Sequence, residues 1–238
     1  MTQTEQVIET MRSNGGYATF GKLNQLIDFS TWATKTPQAS VRRIVQQSDA
    51  FFRIQPGLWA LREYQNEVLR KFNIKHNDKD SEEIFTHGYY QGILVEIGNL
   101  KKFTTYVPAQ DQKRKFLEQS LGDISKTIVI PEFTYPKLVD RAKTVDVIWF
   151  NERELPNSFF EVEHSTDIQN SVSKYCDLQD FNSRFYIIAP DHRRAQFDKV
   201  MDRTIFREIK DKVKFVNYDT IVSQYEKMSA LAAVQNAI

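Results

Sequence analysis

The sequence has little cysteine, histidine, glycine or proline for its length. Of its 238 residues one is cysteine, four are histidine, eight are glycine and seven are proline. Because Cys176 is the only cysteine, no intramolecular disulfide can form, and we expect a reducing compartment, the cytoplasm. The scattered histidines do not predict a structural zinc site. We expect Cys176 to be a packing residue of a helix rather than a nucleophile.

Long apolar runs are also absent. No stretch approaches the roughly 18 uninterrupted apolar residues of a membrane span. The first residues lack the basic region and apolar run of a secretory signal. The composition, 41% hydrophobic and 26% charged, is ordinary for a globular protein, and the net charge of +1 indicates no class of partner. We therefore expect a cytoplasmic protein without a membrane segment.

The order of predicted elements divides the chain into two units. Residues 1–64 form the first, and the polar stretch 73–80 lies within a predicted linker, residues 65–81. Residues 82–238 form the second. No internal repeat and no low-complexity segment is present, so these limits depend on the change in pattern alone.

The first unit is predicted to contain three helices and a β-hairpin. Its second helix, over 20–27, places Leu23, Leu26 and Ile27 on one face. The third begins at Thr36-Pro37, with threonine as N-cap and proline in the first turn. Its inward residues are predicted to be Val41, Ile44 and Val45. Strands at 51–54 and 58–61 flank a turn that contains Pro56-Gly57.

This order resembles a HARE-type winged helix, a variant of the helix-turn-helix. The likeness depends on Gly16-Tyr17, the Thr-Pro helix start and Pro56-Gly57-Leu58-Trp59. It implies that the third helix lies in the major groove of DNA. Glutamine pairs with adenine and arginine with guanine. The predicted DNA-binding residues are Gln38, Ser40, Arg42 and Arg43. The alternative, a protein-contact module with a solvated arginine face, remains open.

The second unit alternates helices and strands, beginning in the order α-β-β-β-α-β. This order predicts an α/β domain with a mixed sheet. We expect the first three strands to form an antiparallel meander and the later ones to enter through helical crossovers. The long segment 108–143 has no interpretable pattern.

Two predicted strands of this unit contain acids where buried strands are normally apolar. Asp146 lies in the strand 145–150, and Glu161 and Glu163 lie in the strand 158–164. Glu161 and Glu163 share a face because strand side chains alternate. Buried carboxylates that close require a cation or a hydrogen-bond network. A divalent metal such as Mg²⁺ would meet both needs. The alternatives are a structural ion-pair network or a solvent-exposed sheet face.

The acids and the element order together resemble the PD-(D/E)xK nuclease superfamily, in the Glu-x-Glu variant of type II restriction endonucleases. The resemblance implies a restriction-endonuclease-like mixed sheet flanked by helices, with Asp146 and Glu161 as Mg²⁺ ligands. Glu163 stands where lysine is usual, and Val145 where proline is usual. Since a glutamate supplies no positive charge, Glu163 is predicted to be a general base or a ligand of a second metal.

Glu96 is the fourth acid of interest. It follows Gly88 and Gly92, whose spacing predicts a helix face that approaches the sheet closely. Two interpretations are equal at this point. Glu96 is either an outer ligand or water-organiser of the site, or a rim residue paired with Lys101 or Lys102.

Three further features are predicted to be structural. His164 is expected to lie on the opposite face from Glu163. Lys174, on the following helix, is a possible substitute for the missing lysine, but the preferred interpretation is a solvated helix lysine. The run 191–194, Asp-His-Arg-Arg, is expected to be a plain helix start.

The sequence therefore predicts a Mg²⁺-dependent, site-specific endonuclease that hydrolyses phosphodiester bonds of double-stranded DNA. Cleavage of both strands favours a homodimer, because a two-fold symmetric protein matches a palindromic site. One alternative is a repair or transposition nuclease of the same fold. The other is a non-enzymatic winged-helix DNA-binding regulator.

Overall fold

The computed structural model describes residues 1–75 and 78–235 of the protein. Contacts divide the chain into two compact units, Met1–Asp78 with Val222–Ile238, and Lys79–Ile221. Part of the predicted linker, residues 76–77, lies outside the described residues. The assignment of residues 1–64, 65–81 and 82–238 to separate roles stays a prediction.

The first unit begins with helices and a small antiparallel sheet. Its helices are α1 Gln3–Ser13, α2 Phe20–Leu26, α3 Pro37–Gln47 and α4 Gln65–Lys71, and its strands are β1 Tyr17–Thr19, β2 Phe51–Gln55 and β3 Leu58–Leu61. The predicted three helices and hairpin are all present. The sheet order is β1-β3-β2, and β1 was not predicted because three residues are too short for a recognisable strand pattern.

The core of this unit confirms most of the predicted inward residues. Val41 and Val45 of α3 are almost fully buried, and Leu23 of α2 is completely buried. Leu26 is the exception, with 46% of its surface exposed. The prediction was wrong because α2 ends at Leu26 and Ile27 enters the core through extended backbone, which breaks the helical spacing.

The second unit is built around one sheet. Its strands are β4 Thr104–Tyr106, β5 Lys115–Phe116, β6 Gln119–Ser120, β7 Val147–Phe150, β8 Pro156–Val162, β9 Arg184–Ala189 and β10 Val213–Asn217. Its helices are α5 Lys79–Leu100, α6 Leu121–Ile124, α7 Pro136–Ala142, α8 Ile168–Asp177 and α9 Arg194–Met201, and α10 Tyr218–Gln235 begins in it.

Five strands form the main sheet in the order β10-β9-β8-β7-β4. β4, β7 and β8 pair antiparallel, whereas β8, β9 and β10 pair parallel. This confirms the predicted mixed sheet, with a meander first and crossovers afterwards. The architecture, a mixed sheet flanked by helices, agrees with a restriction-endonuclease-like fold.

Helices cover both faces of the strands that bear the acids. Trp149 of β7 donates a hydrogen bond to the Leu94 carbonyl of α5 (3.1 Å), and Tyr175 of α8 donates one to the Tyr186 carbonyl of β9 (2.6 Å). β8 is the central strand, and six of its seven residues are buried. The alternative of acids on a solvent-exposed sheet face is therefore wrong.

The segment 108–143 contains structure that was not predicted, namely the β5–β6 hairpin, α6 and α7. Gly92 of α5 packs directly against this hairpin, because a Cβ at residue 92 would overlap the ring of Phe116. The glycine spacing predicted that this helix face approaches the main sheet closely. A close approach is present at Gly92, but it is to the β5–β6 hairpin. Within the described ranges, no helix is both long and apolar enough to cross a membrane.

Candidate active site

Asp146 and Glu163 lie just outside the ends of strands, whereas Glu161 is the second-last residue of β8. β7 begins one residue after Asp146, and β8 ends at Val162, one residue before Glu163. The predicted strand 145–150 began two residues too early, and the predicted strand 158–164 is displaced by two residues from β8. The β8–β9 ladder ends here because Pro190 has no amide proton to donate. The carbonyl of Glu163 instead accepts a hydrogen bond from the Arg193 guanidinium (3.0 Å).

Asp146 is held between the sheet and helix α5. The strand pairing Val147 with Phe160 places Asp146 beside the end of β8. Its Oδ2 accepts a hydrogen bond from the backbone N–H of Val162 (2.8 Å), and its Oδ1 lies 3.2 Å from Nε2 of His87. The Asp146 carboxylate thus takes the place of a backbone carbonyl as the acceptor for Val162, at the end of the pairing between β7 and β8.

Glu161 has a lysine partner from a different element. Its carboxylate is nearly inaccessible, with 2% of the residue exposed. Nζ of Lys174, on α8, lies 2.9 Å from Oε1 and 3.0 Å from Oε2 of Glu161, and 2.9 Å from the Thr144 carbonyl. The preferred interpretation of Lys174 as a solvated lysine was wrong. One helical turn before it, Ser171 places its hydroxyl 3.2 Å from Glu161 Oε2.

Glu163 is also buried, with 4% of the residue exposed, but its partners differ from those of Glu161. Its two carboxylate oxygens accept hydrogen bonds from the hydroxyls of Ser171 and Thr166. Nη1 of Arg193 lies 3.8 Å from Glu163 Oε2. Arg193 is itself buried, so the expectation that 191–194 is a plain helix start was incomplete.

Two of these acids have pKa values displaced in opposite directions. Burial alone would raise the pKa of Asp146, but His87, the Val162 N–H and Lys174 together hold it below its usual range. Burial raises the pKa of Glu161 well above its usual range, the Asp146 carboxylate raises it further, and Lys174 opposes both. A further cation next to both acids would lower the pKa of Glu161, because it would offset the negative charge of Asp146.

Helix α5 and the loop after β4 add residues that were not predicted. The side-chain amide of Gln91, one turn after His87, donates to Asp111 Oδ2 (2.7 Å) and to the Asp146 carbonyl (3.3 Å). His87, Asp111 and Asp146 each offer one possible ligand atom, and these three atoms lie within 4.8 Å of one another. His87 and Gln91 could have been found from the sequence, because polar residues four positions apart in a buried helix are a signal for a site. Asp111 lies in a loop, and no sequence pattern marks it.

Glu96 is not brought to the other acids. It follows His87, which contacts Asp146, by nine residues, so it lies on the opposite side of α5. Burial raises the pKa of Glu96, and the charge that opposes this is Lys126 rather than Lys101 or Lys102. In the part of the chain that the structure describes, no hydrogen bond or ion pair joins it to Asp146.

His164 follows the end of β8, so strand alternation does not fix its direction. It lines a cleft of about 420 Å³ with Glu83, Ser165, His192, Arg193 and Gln196. Its ring is stacked with that of Tyr218, with the ring centroids 6.1 Å apart. Burial lowers the pKa of His164.

The predicted DNA-binding residues lie on α3. Gln38 and Arg43 are exposed, and the Ser40 hydroxyl contacts the Thr36 carbonyl. Arg42 forms an ion pair with Glu226 and lies over the ring of Phe20, 4.6 Å from its centroid.

Comparison with known proteins identifies the family of the second unit. Residues 68–238 match the family described as the type II restriction enzyme NmeDI C-terminal domain. The chain belongs to this family. The matched region contains the whole α/β unit with Asp146, Glu161, Glu163 and Lys174, and excludes α1 to β3. The winged-helix assignment of those elements therefore stays a prediction.

One curated relative is the type II restriction enzyme NmeDI of Neisseria meningitidis serogroup C. It is 26% identical over 144 residues, which are 56% of this chain and 41% of the relative. The chain thus matches less than half of that protein's length. No solved structure matches the chain.

Proposed function

We propose that the protein is a type II restriction endonuclease that hydrolyses phosphodiester bonds of double-stranded DNA at a specific site with Mg²⁺. The observation that supports this most directly is the meeting of Asp146, Glu161 and Lys174 at the end of β8, in a member of a restriction enzyme family. Buried acids next to one lysine are costly for stability, which favours a functional reason for keeping them.

The donor set fits a hard divalent cation. Asp146 and Glu161 offer carboxylate oxygens, which Mg²⁺ prefers. The raised pKa of Glu161 reflects partly the negative charge of Asp146, and a cation between them would remove that effect. When bound, the metal supplies Lewis-acid stabilisation of the phosphate charge.

Each residue of the candidate site has a distinct role in this proposal. Asp146 and Glu161 bind the metal, and the Val162 N–H orients Asp146. Lys174 supplies the positive charge that the Glu-x-Glu motif lacks. Its three contacts with Glu161 and the Thr144 carbonyl hold the ammonium beside Glu161. We expect the scissile phosphate to bind next to it. Glu163 remains the predicted base, and its hydroxyl and guanidinium partners fix its position.

Cleavage of duplex DNA tests the proposal. Plasmid DNA and Mg²⁺ are incubated with the wild-type protein and with Asp146→Asn and Glu161→Gln, whose shapes are nearly unchanged. We expect discrete fragments from the wild type and a loss of at least about 1000-fold in each variant, as for removal of a central catalytic group. The matched control is Asp140→Asn, an exposed acid of α7.

Three results would contradict the proposal. Cutting by both acid variants at the wild-type rate would exclude the site. A smear of random fragments would favour a repair or transposition nuclease. Metal-independent DNA binding without cleavage would favour a regulator.

Sedimentation of the protein on a cleaved duplex tests the proposed homodimer, which predicts two chains for each DNA.

A further inference from the structure

We propose that His87 and Asp111, together with Asp146, form a mixed nitrogen and oxygen site for a divalent transition metal such as Mn²⁺. The inference rests on the proposed function only through Asp146, which the two sites share. It adds a helix imidazole and a loop carboxylate that the acid motif does not contain.

The positions of the three ligand atoms support this site. They lie within 4.8 Å of one another. Ligands around a cation at about 2.1 Å are roughly 3 to 4.2 Å apart in octahedral geometry, so small side-chain movements are sufficient. Asp111 has 2% of its surface exposed, and the side chain of His87 has 22%. The site is therefore nearly closed to solvent, with its opening at the histidine.

The buried amide of Gln91 gives an independent indication of a missing ligand. Gln91 is fully buried, and its nitrogen donates to Asp111 and to the Asp146 carbonyl. Among the residues that the structure describes, its oxygen Oε1 has no hydrogen-bond partner. A buried amide oxygen without a donor is unfavourable, and a cation or its water would satisfy it.

Asp111 is also incompletely satisfied. Its Oδ1 lies 3.0 Å from Nε of Arg114, but the orientation does not make a hydrogen bond. The side chain of Arg114 is 34% exposed and can turn outward. The contact between His87 and Asp146 likewise involves atoms that a metal would bind instead. Both contacts therefore neutralise the site in the absence of a metal without blocking it.

The imidazole determines the class of metal. Nitrogen ligands favour first-row transition metals, whereas Mg²⁺ and Ca²⁺ prefer oxygen alone. Mn²⁺ is the first-row metal that also suits carboxylate oxygens, so it fits a site with two carboxylates and one imidazole. We expect Mn²⁺ to bind the protein at least about tenfold more tightly than Ca²⁺ in the absence of DNA.

Electron spin-echo spectroscopy of bound Mn²⁺ tests the nitrogen ligand directly. The full-length protein is titrated with Mn²⁺ alone, and the modulation from coordinated ¹⁴N is recorded. Protein grown with ¹⁵N-histidine gives the same measurement without any substitution, so it does not depend on the folding of a variant. His87→Gln and Asp111→Asn are then compared with His192→Gln, an exposed histidine of the same unit.

We expect the ¹⁴N modulation to be present, to change with ¹⁵N-histidine, and to disappear in His87→Gln but not in His192→Gln. Mn²⁺ affinity is expected to fall at least about tenfold in His87→Gln and in Asp111→Asn. Bound Mn²⁺ without histidine modulation would overturn the inference, even if the protein cleaves DNA. Histidine-coordinated Mn²⁺ without DNA cleavage would overturn the proposed function and leave this site standing.

Discussion

The site at the end of β8 and the outer face of α3 differ in how their charged residues are held. At the end of β8, Glu161 and Glu163 are buried, and each has several partners. On α3, Arg43 is exposed and makes no hydrogen bond or ion pair within the described part of the chain. The first arrangement is preorganised, because partners fix each group before any ligand arrives.

The buried acids at the end of β8 and the exposed arginines of α3 give different kinds of evidence about function. Burial makes an unpaired charge costly, so the partners of a buried acid restrict its chemistry. Exposed arginines cost little wherever they stand, so their positions alone do not distinguish DNA contact from a solvated face. Substitutions at the end of β8 should therefore have large effects, and substitutions on α3 should have small effects.

The largest effect within this comparison is expected at Glu163. Glu163→Lys restores the common motif, but it places a buried ammonium near Arg193 and removes the acceptors of the Ser171 and Thr166 hydroxyls. We expect a loss of at least about 1000-fold in the rate of plasmid cleavage.

Glu163→Gln is the matched variant, because it keeps the size of the side chain and one oxygen acceptor. We expect it to lose activity by a smaller factor than Glu163→Lys. Thermal unfolding of both variants separates misfolding from lost chemistry. Full cutting by a folded Glu163→Lys protein would refute the general-base assignment.

Lys174 is expected to have the next largest effect. Lys174→Met keeps the length of the side chain and removes its charge, so we expect cleavage to slow by about 100-fold, as for loss of one preorganised charge. Lys174→Arg retains the charge and should retain more activity. Equal rates for the Met variant and the wild type would return Lys174 to a structural role.

Much of the site could be predicted from sequence, because its acids lie in or directly beside strands that are otherwise apolar. Asp146 and Glu161 were visible for this reason, and the strand order brings them together. The sequence placed Lys174 on the helix after β8 but did not show that it contacts Glu161, because sequence spacing does not show which face of α8 meets β8. Asp111 comes from a loop, and only the fold brings it to His87.

The fold shows the same division. Regular strands and helices followed from periodicity, whereas the β5–β6 hairpin, with two residues in each strand, gives no pattern to detect. The ends of β7 and β8 also depended on tertiary contacts. Asp146 accepts the Val162 N–H, and Pro190 ends the ladder with β9, and neither pairing is visible within a single strand.

On α3, Arg43 and Arg42 form a matched pair for testing DNA contact. We expect Arg43→Ala to weaken duplex binding by several-fold and to reduce the slope of log affinity against log salt by about 0.9, the value for one phosphate contact. Arg42→Ala should have a smaller effect, because Arg42 is paired with Glu226. Binding that does not depend on salt would argue against a DNA-contacting α3.

The smallest effect is expected from releasing Arg42. Glu226→Gln removes the charge of the partner, and since the Arg42 side chain is 49% exposed, its guanidinium then becomes available to phosphate. The ion pair of a solvent-exposed arginine contributes roughly 0.2–1 kcal/mol, so duplex affinity should rise by about 1.5- to 5-fold. In the double variant Glu226→Gln with Arg42→Ala this gain should vanish. A gain that persists without Arg42 would show that Glu226 acts on DNA through its own negative charge, and α3 would then lose its strongest support as the DNA-contacting helix.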